Sequence, residues 1–221
     1  MAGRLLVGIP RNAALLFGLV LLLVAGPVIP IEKDWFVVEL IFNFILLAGV
    51  YSVGPSTHHR PFMVLTVITL AVRWGELLSG MYGADVTALA LTSIWLFYAV
   101  WIIVTNLFKR TDVTVDTILG ATVTYMLIAV AFAMVYQIIE LTSPDSFRGL
   151  PEDIASNRPA LSNVMLYFSF VCITTMGYGD IVPASGIAQP LAVLEGVVGQ
   201  LYLAIMIARL VGLHIASSSN N

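Results

Sequence analysis

Apolar residues run along this chain in long blocks, without the alternation of a half-buried strand or the single stripe of a surface helix. Six blocks, at 12–30, 35–53, 62–82, 85–108, 114–141 and 185–214, have the length of a membrane-spanning helix. Such a helix needs about 20 apolar residues to cross roughly 30 Å of hydrocarbon. A seventh block, at 161–173, is too short to cross. Turn-forming and polar residues punctuate the blocks: Pro30 to Asp34, Gly54-Pro55 through Arg60-Pro61, Tyr82 to Asp85, and Lys109 to Asp112. The polar stretch from Thr142 to Pro159 reads as an exposed loop. The pattern predicts an all-α membrane protein with six spans and one short re-entrant segment. The first block, Ala13 to Ile29 behind Arg4 and Arg11, has the basic start and apolar middle of a secretory leader. Pro27 and Pro30 suit a helix end better than a cleavage site, so it is read as the first span.

Composition agrees with this reading: 59% of the 221 residues are hydrophobic and 10% charged, outside the balance of a soluble domain. A single cysteine, Cys172, excludes an intrachain disulfide and a cysteine metal cluster. The net charge of −3 offers no basic surface for nucleic acid. What charge there is sorts by loop. With the amino terminus in the cytoplasm, Arg4, Arg11, Arg60, Lys109, Arg110 and Arg209 fall inside, and Lys33, Arg148 and Arg158 fall outside. This is the bias expected of a multi-pass protein with both termini cytoplasmic. Glu32, Asp34, Asp85, Asp145, Glu152, Asp153 and Asp180 fall outside, where negative charge concentrates cations at low salt. Beyond Ala216 only the short polar tail Ser217 to Asn221 is expected, with no cytoplasmic ligand sensor. No paired catalytic constellation appears, so an enzyme is not expected, and no cofactor is implied.

The stretch that carries chemistry is Thr174-Thr175-Met176-Gly177-Tyr178-Gly179-Asp180, placed after the short block and before the last span. Glycine at 177 and 179 permits backbone angles, including φ > 0, that other residues reach only with strain. The run resembles the selectivity-filter signature of potassium channels, and Tyr167-Phe168-Ser169-Phe170-Val171-Cys172-Ile173 resembles that family's pore helix. The likeness covers residues 114–214. Carbonyl dipoles in such a filter replace an ion's hydration shell without a full negative charge in the pore. The resemblance implies that Thr175, Met176, Gly177, Tyr178 and Gly179 form the K+-binding filter, with the Thr175 hydroxyl adding the innermost ring. It implies that four identical chains close the filter as a four-fold symmetric tetramer in the lipid bilayer. Thr174, Tyr167 and Asp180 are the expected supports: Tyr178 packs against the pore helices, and Asp180 accepts a hydrogen bond from Tyr167. Met176 stands where valine is commoner and Cys172 where threonine is commoner; neither change removes a carbonyl. Met176 is expected to fill a niche away from the ion path.

In the last span, Gly199 lies where relatives of such channels often have a gating hinge. Close helix packing is the competing explanation there and at Gly196. Glu195 is an ionisable residue inside a span: either a proton-sensitive brace behind the filter or a buried, hydrogen-bonded carboxyl with no regulatory role. Glu39 and Asn43 share one helix face, Arg73 and Glu76 another, and Glu39 and Arg73 fall at similar depths where they can pair. His58 and His59 read as solvated loop residues. The division expected is a four-helix, voltage-sensor-like domain at 1–110, a pore domain at 111–216 with the filter at 175–179, and a tail at 217–221. A compact chain of this kind points to a prokaryotic plasma membrane.

Passive potassium conduction is the leading reading. The alternatives are a non-selective cation channel, a potassium transporter subunit, and a non-conducting scaffold or regulatory subunit. Retention of both glycines and Tyr178 opposes the first, and a single filter-like segment opposes the second. Six spans with the pore in the last two resemble the voltage-gated architecture, yet the fourth block has no Arg or Lys from Val86 to Phe108. One charge crossing 100 mV yields about 2.3 kcal/mol, so a helix without charges extracts no work from the field. Weak or absent intrinsic voltage dependence is therefore expected, and a steep conductance–voltage curve in symmetric potassium would contradict it.

Overall fold

The computed structural model describes residues 10–28, 31–54, 58–79, 84–151, 154 and 158–218. Arg4, Pro30, Pro55, Tyr82, Glu152, Asp153 and 219–221 of the tail lie outside the described residues. So do the side chains of Glu32, Lys33, Asp34, Glu76, Asp85 and Arg158. Each apolar block becomes a helix close to its predicted bounds: α1 (Arg11–Val28), α2 (Ile31–Val53), α3 (His59–Ser79), α4 (Ala84–Lys109), α5 (Val115–Thr142), the short α6 (Arg158–Ile173) and α7 (Ala188–Ser218). Among the described residues, three helices are long and apolar enough to cross a membrane by themselves: Val86–Lys109, Val115–Thr142 and Ala188–Ala216. Arg11–Val24 and Val37–Val53 are shorter apolar helices. The third predicted span, α3, meets neither description; it carries His59, Arg60 and Arg73 within its described length. The protein is thus a mostly helical membrane protein.

α5 is the centre of the fold. It packs against α1, α4, α6 and α7, and 72% of its apolar stretch is buried, against 17% for α7. Small residues on several of its faces, among them Gly120, Ala121, Ala129, Ala131 and Ala133, let neighbouring helices approach closely. Its start is fixed by Thr114, whose hydroxyl accepts from the Thr117 amide at 3.2 Å in a reciprocal capping box. Asp116 sits in the first turn, the favoured end for an anion, and pairs with Arg110 at 3.0 Å. One apolar core joins α1, α2, α4 and α5 through Leu15, Leu19, Ile45, Leu46, Trp95 and Leu127. A second joins α5, α6 and the outer loop through Tyr136, Phe147, Leu161 and Phe168.

That loop departs from expectation. Part of Thr142 to Pro159 is not exposed: Ser146 and Phe147 are buried, and Phe147–Arg148 forms a strand, β1, antiparallel to β2 (Val182–Pro183). The reason is aromatic packing, since Phe147 lies edge-on to Tyr136 at 5.5 Å and to Phe168 at 5.2 Å. Glu140 ends the preceding helix by accepting the amides of Asp145 and Phe147 at 3.0 and 3.1 Å.

The expected contact between Glu39 and Arg73 is made. Nε donates to Oε1 at 2.8 Å and Nη2 to Oε2 at 2.5 Å, a two-point pair joining α2 to α3. Arg73 also lies 4.8 Å over the Phe42 ring and donates to Thr92 of α4 at 3.3 Å. His58 is not simply solvated: its Nδ1 shares a hydrogen bond with the Tyr98 hydroxyl at 3.3 Å, and its ring meets Trp101 edge-on at 4.9 Å.

Trp95 of α4 is the largest fully buried side chain in the first core. It stacks on Phe62 of α3 at 4.9 Å, donates Nε1–H to Thr66 at 2.7 Å, and lies so close to Gly49 of α2 that a Cβ there would clash. Trp95→Ala should therefore destabilise the bundle by roughly 3–5 kcal/mol, read as a shift in denaturant unfolding in micelles.

Candidate functional site

The site begins where α6 runs out. After Ile173 the amide of Thr174 still reaches the Phe170 carbonyl at 3.1 Å, and the amides of Met176 and Gly177 both turn back to the Val171 carbonyl at 3.0 and 3.4 Å. The Thr174 hydroxyl donates to the Phe170 carbonyl at 2.5 Å. Thr175, Gly177 and Gly179 have φ of 58°, 55° and 76°, while Met176 and Tyr178 between them do not enter the positive region. Alternation of this kind swings successive peptide groups so that amides and carbonyls separate to opposite sides. No hydrogen bond among the described residues uses a carbonyl of 174–179. A Cβ at Gly177 or Gly179 would meet nothing within 4 Å, so glycine is needed there for backbone angle, not for space. The positive φ of Thr175, a β-branched residue, was not legible from the sequence.

The predicted supports come together. The Tyr167 hydroxyl donates to Asp180 Oδ2 at 2.7 Å, and the Ile181 amide donates to Oδ1 at 3.0 Å. Hydrogen bonding from Tyr167 favours the ionised form, so the Asp180 carboxyl is held below its ordinary range. Tyr178 stacks on Tyr167 with centroids 6.5 Å apart, yet remains 66% exposed. Met176 is 60% exposed, so the niche expected for it is not supplied by its own chain.

Behind this segment, Glu195 is fully buried. Its Oε2 accepts from the Tyr136 hydroxyl of α5 at 2.7 Å, and its Oε1 hydrogen-bonds to Ser169 Oγ of α6, which also contacts the Ala129 carbonyl of α5 at 2.6 Å. Sequence reasoning singled out Glu195 but missed Ser169 and Tyr136. Their only signal is a polar group within an apolar run, and pairing them requires the rotation of three helices. Gly199 is in close contact: a Cβ would fall 2.5 Å from Ile173 Cγ1 and 3.1 Å from the Ile173 carbonyl, so α7 rests directly on the end of α6 there. Gly196 has nothing within 4 Å, and α7 is continuous through both. Ile173 is also fixed by Tyr125, whose hydroxyl donates to its carbonyl at 2.8 Å.

From α5 to α7 the chain sets two long helices around a short one and an irregular backbone segment. Residues 114–214 match the sequence model of a family described as Ion channel. The chain is also 30% identical over 87 residues to Protein LctB of Bacillus caldotenax and 31% identical over 87 residues to Protein LctB of Geobacillus stearothermophilus. Each match covers 39% of this chain and 64% of the relative, just under two thirds of its length. No solved structure matches the chain significantly.

The Tyr167–Asp180 contact makes a prediction with a definite sign. A depressed carboxyl pKa means the contact is fully present above the ordinary aspartate range and is lost as pH falls through the lowered value. Tyr167→Phe keeps the ring stack and removes the donor. Carboxyl-carbon NMR should then show Asp180 titrating at higher pH in the variant than in the wild type, and identical titrations would exclude the bond.

Proposed function

We propose that this chain is one subunit of a homotetrameric, potassium-selective channel that conducts K+ passively, without intrinsic voltage sensing. The observation that carries the reading is the backbone of 174–179: the amides of Thr174 to Gly177 turn to the end of α6, and no carbonyl of the segment has a partner among the described residues. Thr175, Met176, Gly177 and Tyr178 would present those carbonyls to K+, continued by Gly179, with the Thr175 hydroxyl at the inner end. Thr174, Tyr167 and Asp180 would hold the width. Gly196 and Gly199, beside Glu195, are the positions on α7 through which gating would act.

The remaining parts follow from this reading. Residues 1–110 form a charge-poor counterpart of a voltage-sensing domain, and 111–216 form the pore. α1 to α5 and α7 supply six spans, with α6 as the re-entrant pore helix and both termini cytoplasmic. α3 reaches span length with Arg73 covered by its pair with Glu39. A prokaryotic plasma membrane accords with the bacterial sources of the two relatives.

The test is the reversal potential of purified protein in a planar bilayer with potassium on one side and sodium on the other. A value strongly favouring potassium is expected, and Gly177→Asp, which cannot hold φ near 55° without strain and adds a charge, should abolish it. A value near zero would mark a non-selective cation channel.

A further inference from the structure

The junction of α5, α6 and α7 can be counted proton by proton. Ser169 Oγ makes two close oxygen contacts, one to the Ala129 carbonyl at 2.6 Å and one to Glu195 Oε1. Each such contact needs one hydrogen between the oxygens, because two acceptors without a hydrogen repel. Serine supplies one hydrogen, and the Ala129 carbonyl, which has none to give, must receive it. The second hydrogen has to come from Glu195. Tyr136 does not alter the count, since its own hydroxyl hydrogen is used on Oε2 at 2.7 Å, with the Leu191 carbonyl as a longer second acceptor at 3.3 Å.

The surroundings agree with the count. Among the described residues no salt bridge reaches Glu195, and the ionisable side chains around it, Tyr136, Tyr125 and Cys172, are of types that are neutral in their ordinary state. An isolated carboxylate buried without a counter-charge is costly, whereas a carboxylic acid with every hydrogen and lone pair matched is not. Because Glu195 has no exposed surface within a single protomer, a neighbouring copy cannot supply the missing cation.

We infer that Glu195 is held as a neutral carboxylic acid that donates to Ser169, which in turn donates to Ala129, locking the inner helix to the pore helix and the outer helix through one directional chain. Glu195 is thus a positioning residue for the filter, resting on the conduction reading above. The chain sets the register of α7 against α6 one turn from the Gly199–Ile173 contact, at the base of the segment that carries the carbonyls. Glutamine keeps both contacts: one of its two N–H groups donates to Ser169 and its oxygen accepts from Tyr136, with one further N–H left over. Alanine cannot, and leaves Ser169 and Tyr136 buried with contacts unmade.

Infrared spectroscopy of the full-length protein in bilayers at neutral pH tests the proton directly. The wild type should show the carbonyl stretch of a protonated carboxylic acid that disappears in Glu195→Gln; the absence of such a band would overturn the proposal. Single-channel recording tests the positioning role. Glu195→Gln should keep wild-type potassium open times, while Glu195→Ala and Ser169→Ala should shorten them about tenfold, the scale of one or two lost buried hydrogen bonds. A glutamine variant as impaired as alanine would overturn the positioning role. If no variant and no wild type conducts potassium, the conduction reading fails, while the infrared result still decides the proton.

Discussion

A run of backbone carbonyls without partners is the feature on which the rest of this structure depends. In hydrocarbon each unsatisfied backbone group costs several kcal/mol, so irregular backbone at that depth survives only where it is covered by protein or lines water or ions. From Thr174 to Gly177 the chain satisfies its amides on the end of α6, and among the described residues nothing donates to the carbonyls of 174–179. That division requires left-handed angles at 175, 177 and 179, and two of the three positions are glycine. The third is threonine, which pays for its angle unless surrounding contacts hold it. The tight anchoring of Ile173 and Thr174 by Tyr125, Gly199 and Phe170 provides that hold.

Glu39 and Glu195 are accommodated in different ways. Glu39 is matched by a two-point pair with Arg73, lying among Phe42 and Thr92 between three helices of the first core. Such a pair fixes orientation more than it adds stability, and removing one partner is far worse than removing both. Glu195 meets hydroxyl groups alone, from two different helices. Hydroxyls have one hydrogen and a fixed reach, so the arrangement tolerates less displacement of α7 than an ion pair of flexible side chains would. The first solution suits a bundle that only has to stay together. The second suits a junction whose register matters.

Much of this was legible in the sequence, and the limits have physical causes. Helix positions followed from block length, because spanning length leaves little freedom. The positive φ of Gly177 and Gly179, the Tyr167–Asp180 contact and the Glu39–Arg73 pair followed from residue type and depth. Ser169 and Tyr136 did not, since a hydroxyl in an apolar run has no periodic signal and acquires meaning only when helix rotation brings it to Glu195. Within the loop after α5, Phe147 was misread as exposed because the proline-rich, polar character around it hid a side chain whose burial depends on the aromatic pocket between Tyr136 and Phe168.

The distribution of exposure bears on assembly. α5 is enclosed by its own chain, whereas α7 leaves Val193, Leu201, Ile205, Ile207, Val211 and Ile215 each at least half exposed. Apolar side chains of that kind are equally at home against lipid or against another copy, so they do not decide between the two. On the proposed reading the filter does, because a column of open carbonyls beside the exposed Met176 and Tyr178 would not be at home against lipid. It needs ions or water on one side and protein on the other. Rotating copies of the same module about an axis along the column meets both demands at once: the carbonyls face the axis, and the open flanks of Tyr178 and Met176 face the next copy. Closed cyclic symmetry is the ordinary way for one chain to supply a ring of identical ligands. The proposed tetramer would answer what the described residues of a single chain leave unsatisfied.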